Sequence, residues 1–378
     1  MEQVQETKKT KRVAIDYPEK PKVSLVYSKR GEVTEEDSEP LPFDTAKVCR
    51  VARTLLKNRI APEDALEQPE EISRTALERV HDPDYLATLR HPLALFSAMH
   101  PFLPATPGEV AILKLPSFLH QWRILHPLLR PWVWLVNKHA AIFPNKIYTP
   151  QFVDEMIREA ETDAGGTLLA ARRAMETGID IHIGGGATFA EQASCSAGHL
   201  FADIPVAIRA LQAEKRIKRA LVADLCAHFG DGTANCLTDD DSAFTFSMHQ
   251  KGLWPDLPDN SHSSDLHVEL EEGTSDQEYM EILEKHLPKL LDEHRPDLVF
   301  LVTSDSCLSG DEHANLSLST EGLVRRDAYV AKACVERKIP LAITISGGML
   351  GKSADEGAYA SVRNLIETYG GAWETSEV

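Results

Sequence analysis

The sequence predicts an α/β protein, a single domain whose central, mostly parallel sheet lies between two layers of helices. Three observations carry this. From Asp154 onward, stretches with helical periodicity alternate with short apolar strands. Strands such as Ala220 to Ala223 and Leu298 to Val302 are apolar at consecutive positions, as in strands covered on both faces. Small and polar residues follow the strand ends, where sheets of this kind collect their functional groups.

In order along the chain, residues 1–22 read as a disordered tail. Its Lys8-Lys9-Thr10-Lys11-Arg12 run is a solvated segment or a basic nuclear signal. Val23 to Tyr27 is the first strand, and Gly31 to Pro42 an acidic loop. Asp44 is placed to cap a helix with Val48, Val51, Leu55 and Leu56 at helical spacing. Ser73 to Leu89 holds another helix around His81-Asp82-Pro83-Asp84-Tyr85-Leu86, in which His81 and Asp82 read as structural. Met99 to Pro150 is rich in proline and aromatic residues and takes no clear assignment. Trp122, Trp132 and Trp134 there serve as core cover or as a partner surface. A helix rich in Ala and Leu then ends near Gly178. Strands are expected at Asp180 to Ile183, Ala220 to Asp224, Ala243 to Met248, Asp297 to Val302 and Leu341 to Ile345. Helices are expected at Asp203 to Lys215, Ser275 to Glu293, Thr320 to Lys338 and Ala354 to Tyr369.

Composition bounds the function. The 378 residues are 43% hydrophobic and 26% charged, as in an ordinary globular protein. With 58 acidic against 40 basic residues the net charge is −18, which argues against direct nucleic-acid binding. The six cysteines form no CxxC pair and read as reduced thiols of an intracellular protein, cytoplasmic or nuclear, with an organelle left open. No signal peptide is visible, and no apolar run approaches the roughly 20 residues of a membrane span.

The chain is organised around Arg219 to Thr233, RALVADLCAHFGDGT. Asp224, Cys226 and His228 occupy alternate positions, so an extended backbone would point all three the same way. A carboxylate, a thiol and an imidazole together suggest a metal site or its remnant. Four strand ends should converge there: Gly184 to Phe189, Asp224 to His228, Thr303 to Ser306, and Ser346 to Met349. The triple glycine at 184–186 lacks phosphate-loop spacing and reads as tight packing. His182, within a strand, reads as a core histidine.

These segments carry a resemblance. Pro42-Phe43-Asp44, His81 to Leu86, Leu115-Pro116-Ser117-Phe118-Leu119, Gly184 to Gly186, Phe201-Ala202-Asp203-Ile204, Phe244 to His249, Glu272 to Tyr279 and Leu316 to Leu323 stand in order. The chain resembles the zinc-dependent histone deacetylases, class IV in particular, from about Val23 to Gly371. The resemblance implies the arginase/deacetylase-like three-layer αβα fold over residues 23–378, with an insertion around 132–152. It also implies a channel for an acylated lysine with zinc at its base.

Family chemistry needs zinc to polarise the amide and activate water, two histidines to move protons, and a tyrosine for the oxyanion. By resemblance, Thr188 and Phe189 stand where the histidine dyad would, and Met349 where the tyrosine would. The zinc ligands correspond to Cys226, His228 and Ser306, with Asp305 one residue early, a slip that turns a side chain to the opposite face. The channel positions are Gly198 and His199. Asp231 matches the partner of a dyad histidine. Asp224 and Ser247, with backbone carbonyls near Cys226, His228 and Met248, match a structural potassium site.

The expectation is therefore a catalytically inactive deacetylase-like protein that binds and scaffolds in an assembly, with protein partners. Zinc is not expected, and a structural potassium ion is. Two alternatives stand: a lysine deacetylase or deacylase with an altered metal site, and an acyl-lysine peptide reader without turnover.

Overall fold

The structure is a computed structural model that describes residues 13, 15–29, 46–89, 150–255, 264–346 and 354–373. In chain order these form β1 (Lys22–Tyr27), α1 (Lys47–Lys57), β2 (Leu66–Glu67), α2 (Arg74–Leu77), α3 (Pro83–Thr88), α4 (Pro150–Thr177) and β3 (Gly178–Ile183). Then come α5 (Asp203–Ala213), β4 (Ala220–Asp224), α6 (Asp231–Leu237), β5 (Ala243–Gln250), β6 (Leu266–Leu270), α7 (Asp276–His294), β7 (Leu298–Thr303), α8 (Thr320–Glu336), β8 (Leu341–Ile345) and α9 (Ala354–Tyr369). Among the described residues one sheet of eight strands runs in the order β2-β1-β3-β8-β7-β4-β5-β6. Every neighbouring pair in it is parallel.

Successive strand residues point to opposite faces, and both faces are covered. Leu221, Ala223, Val299 and Leu301 join a core with α1, α7, α8 and α9. Ala220, Val222, Phe300 and Val302 join a second core with α2, α3, α4 and α5. This is why the central strands read as continuous apolar runs, and it matches the predicted three layers.

Three local expectations are corrected, and a fourth falls on a residue outside the described ones. The tail does not extend to residue 22: Ile15 packs on the second core. The Val13 amide donates to Asp297 Oδ1 at 2.9 Å, which ties the segment to the base of the sheet. The expected helix from Ser73 to Leu89 is two short helices, because the Asp82 carboxylate caps α3 through Asp84 N at 2.7 Å with Pro83 in its first turn. The residue preceding α1 is Ala46, with no side-chain cap, and Asp44 lies outside the described residues. Strands β2 and β6 and helix α6 are additional to the predicted set.

Strand β3 alternates differently. Ile179, Ile181 and Ile183 enter the first core, while Asp180 and His182 face α4. His182 explains the second glycine of the pair in α4: a Cβ at Gly166 would lie 2.3 Å from His182 Nε2, whereas one at Gly165 would lie 1.9 Å from Glu70 O. The imidazole is held by Ser28 Oγ at 2.7 Å and Thr167 Oγ1 at 3.1 Å, so it is a satisfied core group.

Asp180 is fully buried, accepts from Ser24 Oγ, and leaves Oδ1 without a hydrogen-bond partner among the described residues. Burial raises its carboxyl to about 8. The unfolded chain releases this proton near pH 4 and the folded chain holds it to about pH 8. Stability from this group is therefore full below the unfolded value and is lost as pH rises through that window. Asp180→Asn is expected to flatten the fall in Tm between pH 5 and pH 8, measured by a thermal series (pH values from the window above).

Candidate functional site

The four strand ends meet. Ser346 Oγ, after β8, donates to Gly186 O at 2.7 Å, and Ser346 N donates to Thr303 O at 2.9 Å. The loop after β3 reaches α6 through Thr233 N donating to Thr188 O at 3.0 Å. The loop after β4 reaches that of β7 through Ala227 N donating to Ser306 Oγ at 3.1 Å. It reaches β5 through Gln250 N donating to Ala227 O at 2.8 Å. Below them, the Asp203 carboxylate accepts from Gly186 N at 2.8 Å and Ala187 N at 2.9 Å, which fixes the start of the Thr188–Phe189 loop.

The alternation predicted for Asp224, Cys226 and His228 stops at Asp224, the last residue of β4. There the chain turns, because Asp224 Oδ1 accepts from Cys226 N at 3.1 Å. Burial holds the Cys226 thiol well above its usual pKa, with Asp224 adding to the effect, so the sulfur is a neutral thiol. The His228 ring donates Nδ1–H to Trp254 O at 2.7 Å. Burial lowers the His228 pKa and keeps the imidazole neutral.

Ser306 Oγ also accepts from Ser304 Oγ at 3.0 Å. Asp305, considered above as a displaced ligand, is turned away: its Oδ2 lies 2.8 Å from the Lys47 ammonium in a buried ion pair. Lys47 also donates to Ser346 O at 3.2 Å. Burial raises the Asp305 carboxyl and Lys47 opposes that rise. Met349 lies outside the described residues, as do Trp122, Trp132, Trp134 and residues 132–149 of the insertion.

Thr188 is buried against Gly230, where an added Cβ would stand 2.9 Å from Thr188 Cβ. Phe189 is partly exposed and lies at the centre of a ring cluster. It stacks on His199 with centroids 5.0 Å apart, and lies 5.1 Å from Trp254 and 6.4 Å from His228. Its amide donates to His199 Nδ1 at 3.1 Å. Gly198, at φ +77°, turns the chain so that His199 can reach it. Asp231 opens α6, and burial with the nearby Glu191 charge raises its carboxyl to about 7.

The donors can be tested against the metals the resemblance implies. Zinc takes thiolate, imidazole and carboxylate. Here the corresponding positions offer a thiol, an imidazole that donates Nδ1–H to Trp254 O and would have to ligate through Nε2, and a serine hydroxyl where a carboxylate would be needed. Among the described residues, no three His, Cys, Asp or Glu side chains gather as metal ligands. This set fits zinc poorly. The oxygen site fits a hard monovalent ion better: Asp224 Oδ2 is buried with no hydrogen-bond partner among the described residues. Burial, opposed by Cys226, raises the Asp224 carboxyl to about 6. Ser247 stands beside Asp224 in register across β4 and β5, and its hydroxyl is 3.0 Å from His249 Nδ1.

Trp254, Lys47 and the buried pair Arg326–Asp327 were not singled out from sequence. Arg326 donates to Asp327 Oδ1 at 2.9 Å and to Leu225 O at 2.9 Å, the residue between Asp224 and Cys226.

Comparison with known proteins agrees with this architecture. The family profile described as "Histone deacetylase domain" matches residues 41–365. The chain is 29% identical to Histone deacetylase 2 of Arabidopsis thaliana over 353 residues, covering 92% of this chain and 81% of that protein. It is 31% identical to an uncharacterized protein of Picosynechococcus over 287 residues, covering 71% of this chain and 91% of that protein. Among solved structures, the HDA15 HD domain superposes with a TM-score of 0.65 at 15% identity, covering 92% of this chain and 90% of that one.

Proposed function

Because the chain belongs to the histone deacetylase family, we propose that it is a member that does not hydrolyse amides and acts by binding, as a scaffold subunit of a protein assembly. The observation that carries this reading is Phe189. Where the resemblance places a proton-transferring histidine, a phenyl ring packs on His199 and Trp254. It has no titratable atom, and its neighbour Thr188 is a buried hydroxyl. The thiol of Cys226 and the hydroxyl of Ser306 support the same reading, since among the described residues no pair of carboxylates stands at these positions to hold zinc.

The proposed setting is intracellular, in keeping with six free cysteines. Among the described residues no helix is long and apolar enough to cross a membrane. Partners are proteins in this reading, with the 132–152 insertion as the first segment to delete.

The test is direct. The purified chain is assayed for bound zinc, and for acetate or longer acyl release from lysine peptides. The expected result is neither, with partners captured from native cells. Stoichiometric zinc with inhibitor-sensitive turnover would favour the deacylase alternative, and this reading would then fall.

The scaffold keeps a potassium site in the same proposal. Asp224 and Ser247, with backbone carbonyls near Cys226, His228 and Met248, would hold the ion, which supplies charge to a buried carboxylate and no catalytic step. Tm is expected to rise with potassium relative to choline at matched ionic strength, through preferential binding to the folded state. Asp224→Asn is expected to remove that dependence, and equal Tm in both salts would count against the site.

A further inference from the structure

The outer helix layer carries an open groove that the scaffold reading leaves unused. It holds about 210 Å³ and lies between α2, α4 and α5. Its floor is apolar: Ala76, Leu168 and Ala210 are buried, and Ala213 lines the exposed edge. The groove stands apart from the strand ends. Leu168 and Arg172 belong to the last turns of α4, which leads into the start of β3, while Ala210 and Ala213 close α5, which leads towards the start of β4. Both places lie towards the base of the parallel sheet, away from the old zinc position.

The polar groups on its rim are mostly donors. Arg79 is exposed on the turn after α2, and its guanidinium has no ion pair or hydrogen bond among the described residues. Glu78, its neighbour in sequence, is paired with Arg74 at 2.8 Å. Arg172 reaches the rim from α4 and gives Nη2–H to Glu214 Oε1, which leaves its remaining N–H groups to donate. The Ser73 oxygen accepts from Ala76 N at 3.2 Å, so its O–H can donate outward. Thr75 brings a second hydroxyl. Among the lining residues Glu214 is the carboxylate, and Arg172 already holds it. Two guanidinium groups above an apolar floor select an anion with an apolar stem.

We propose that this groove binds a small aliphatic carboxylate, with its branched tail on Ala76, Leu168 and Ala210 and its charge between Arg79 and Arg172. The proposal stands whether or not the chain hydrolyses amides. Size sets the class of guest. At roughly 30 Å³ for each water-sized group, the groove admits about seven heavy atoms, as in isovalerate. A protein partner would cover about 800 Å² of such a face, whereas the groove takes one residue-sized group, so the guest is a free acid. Phosphate brings more charge but sets its hydration against an apolar floor.

The test uses the full chain, with isovalerate and its uncharged amide titrated by saturation-transfer NMR and inorganic phosphate added as a competitor at matched ionic strength. Isovalerate is expected to bind about ten-fold tighter than isovaleramide, because a charge-assisted pair adds to the same apolar contact. Arg79→Gln should remove most of that difference and leave the amide unchanged. Ala213→Leu, at an exposed position, should fill the groove and abolish binding of both. Both variants are checked for unchanged Tm. The comparison of acid with amide needs no variant, so the proposal stays exposed even if a variant misfolds. Equal binding of acid and amide, no saturable binding in the millimolar range, displacement of the acid by an equal concentration of phosphate, or acid binding that neither variant weakens would overturn it.

Discussion

Arg326→Met is expected to destabilise the fold by about 3–5 kcal/mol, because it leaves a buried carboxylate without its cation. Arg326 and Asp327 are both fully buried. The guanidinium donates to Asp327, to Leu225 O and to Thr303 Oγ1. Asp327 in turn accepts from Thr303 Oγ1 at 2.8 Å and Ser361 Oγ at 2.7 Å. The two adjacent helix residues thus fix the ends of β4 and β7 and the face of α9. Methionine fills much of the volume but makes none of these bonds, so the Asp327 charge is stranded. Equilibrium urea unfolding should show a lower midpoint. Arg326→Met with Asp327→Leu should recover part of the loss, since removing both charges spares their desolvation. A loss below about 1 kcal/mol would mean that the pair is hydrated.

Much of the fold was legible because the core strands are covered on both faces. That coverage makes Leu298 to Val302 and Leu341 to Ile345 apolar throughout, and the helices between them keep their period. What was not legible depends on a single neighbour. The helix 73–89 broke because one carboxylate, Asp82, caps backbone amides beside a proline. The docked segment before β1 needs only Ile15 and one bond to Asp297. Strand β6 is only partly buried along most of its length, so it lacks the apolar signature of its neighbours.

At the site, the residue types were readable and their directions were not. Cys226, His228, Ser306, Thr188 and Phe189 do gather, since four strand ends meet. The side-chain directions follow from local bonds: Asp224 to Cys226 N, His228 to Trp254 O, Asp305 to Lys47. Arg326 and Asp327 did leave a trace. They sit three and four residues after Leu323, and four and three before Val330, on the apolar stripe of α8. Charges on such a stripe must be paired or at a boundary. Lys47 sits likewise on the buried face of α1, four residues before Val51.

Rebuilding the family groups should produce an enzyme from this frame, and only as a set. The variant carries Thr188→His, Phe189→His, Cys226→Asp, Ser306→Asp and Met349→Tyr. It is expected to bind stoichiometric zinc and to release acetate from acetyl-lysine peptides at least about 10³-fold faster than the native chain, since one oxyanion group alone is worth about 10²–10³ in kcat. The frame favours this outcome. Ala227 N already donates to residue 306 and can donate to a carboxylate there. Arg326 lies close enough to act on Cys226 and Cys307, so it offsets part of the added negative charge. The Phe189 phenyl ring becomes an imidazole beside His199 and Trp254. Single replacements should stay inactive, because groups acting as a unit do not contribute additively. Zinc-dependent turnover by the native chain would defeat the non-hydrolytic reading. Recovery of full rate from Phe189→His alone would defeat the claim that the groups are needed as a set, and would mean that one missing proton-transfer group is what the native chain lacks.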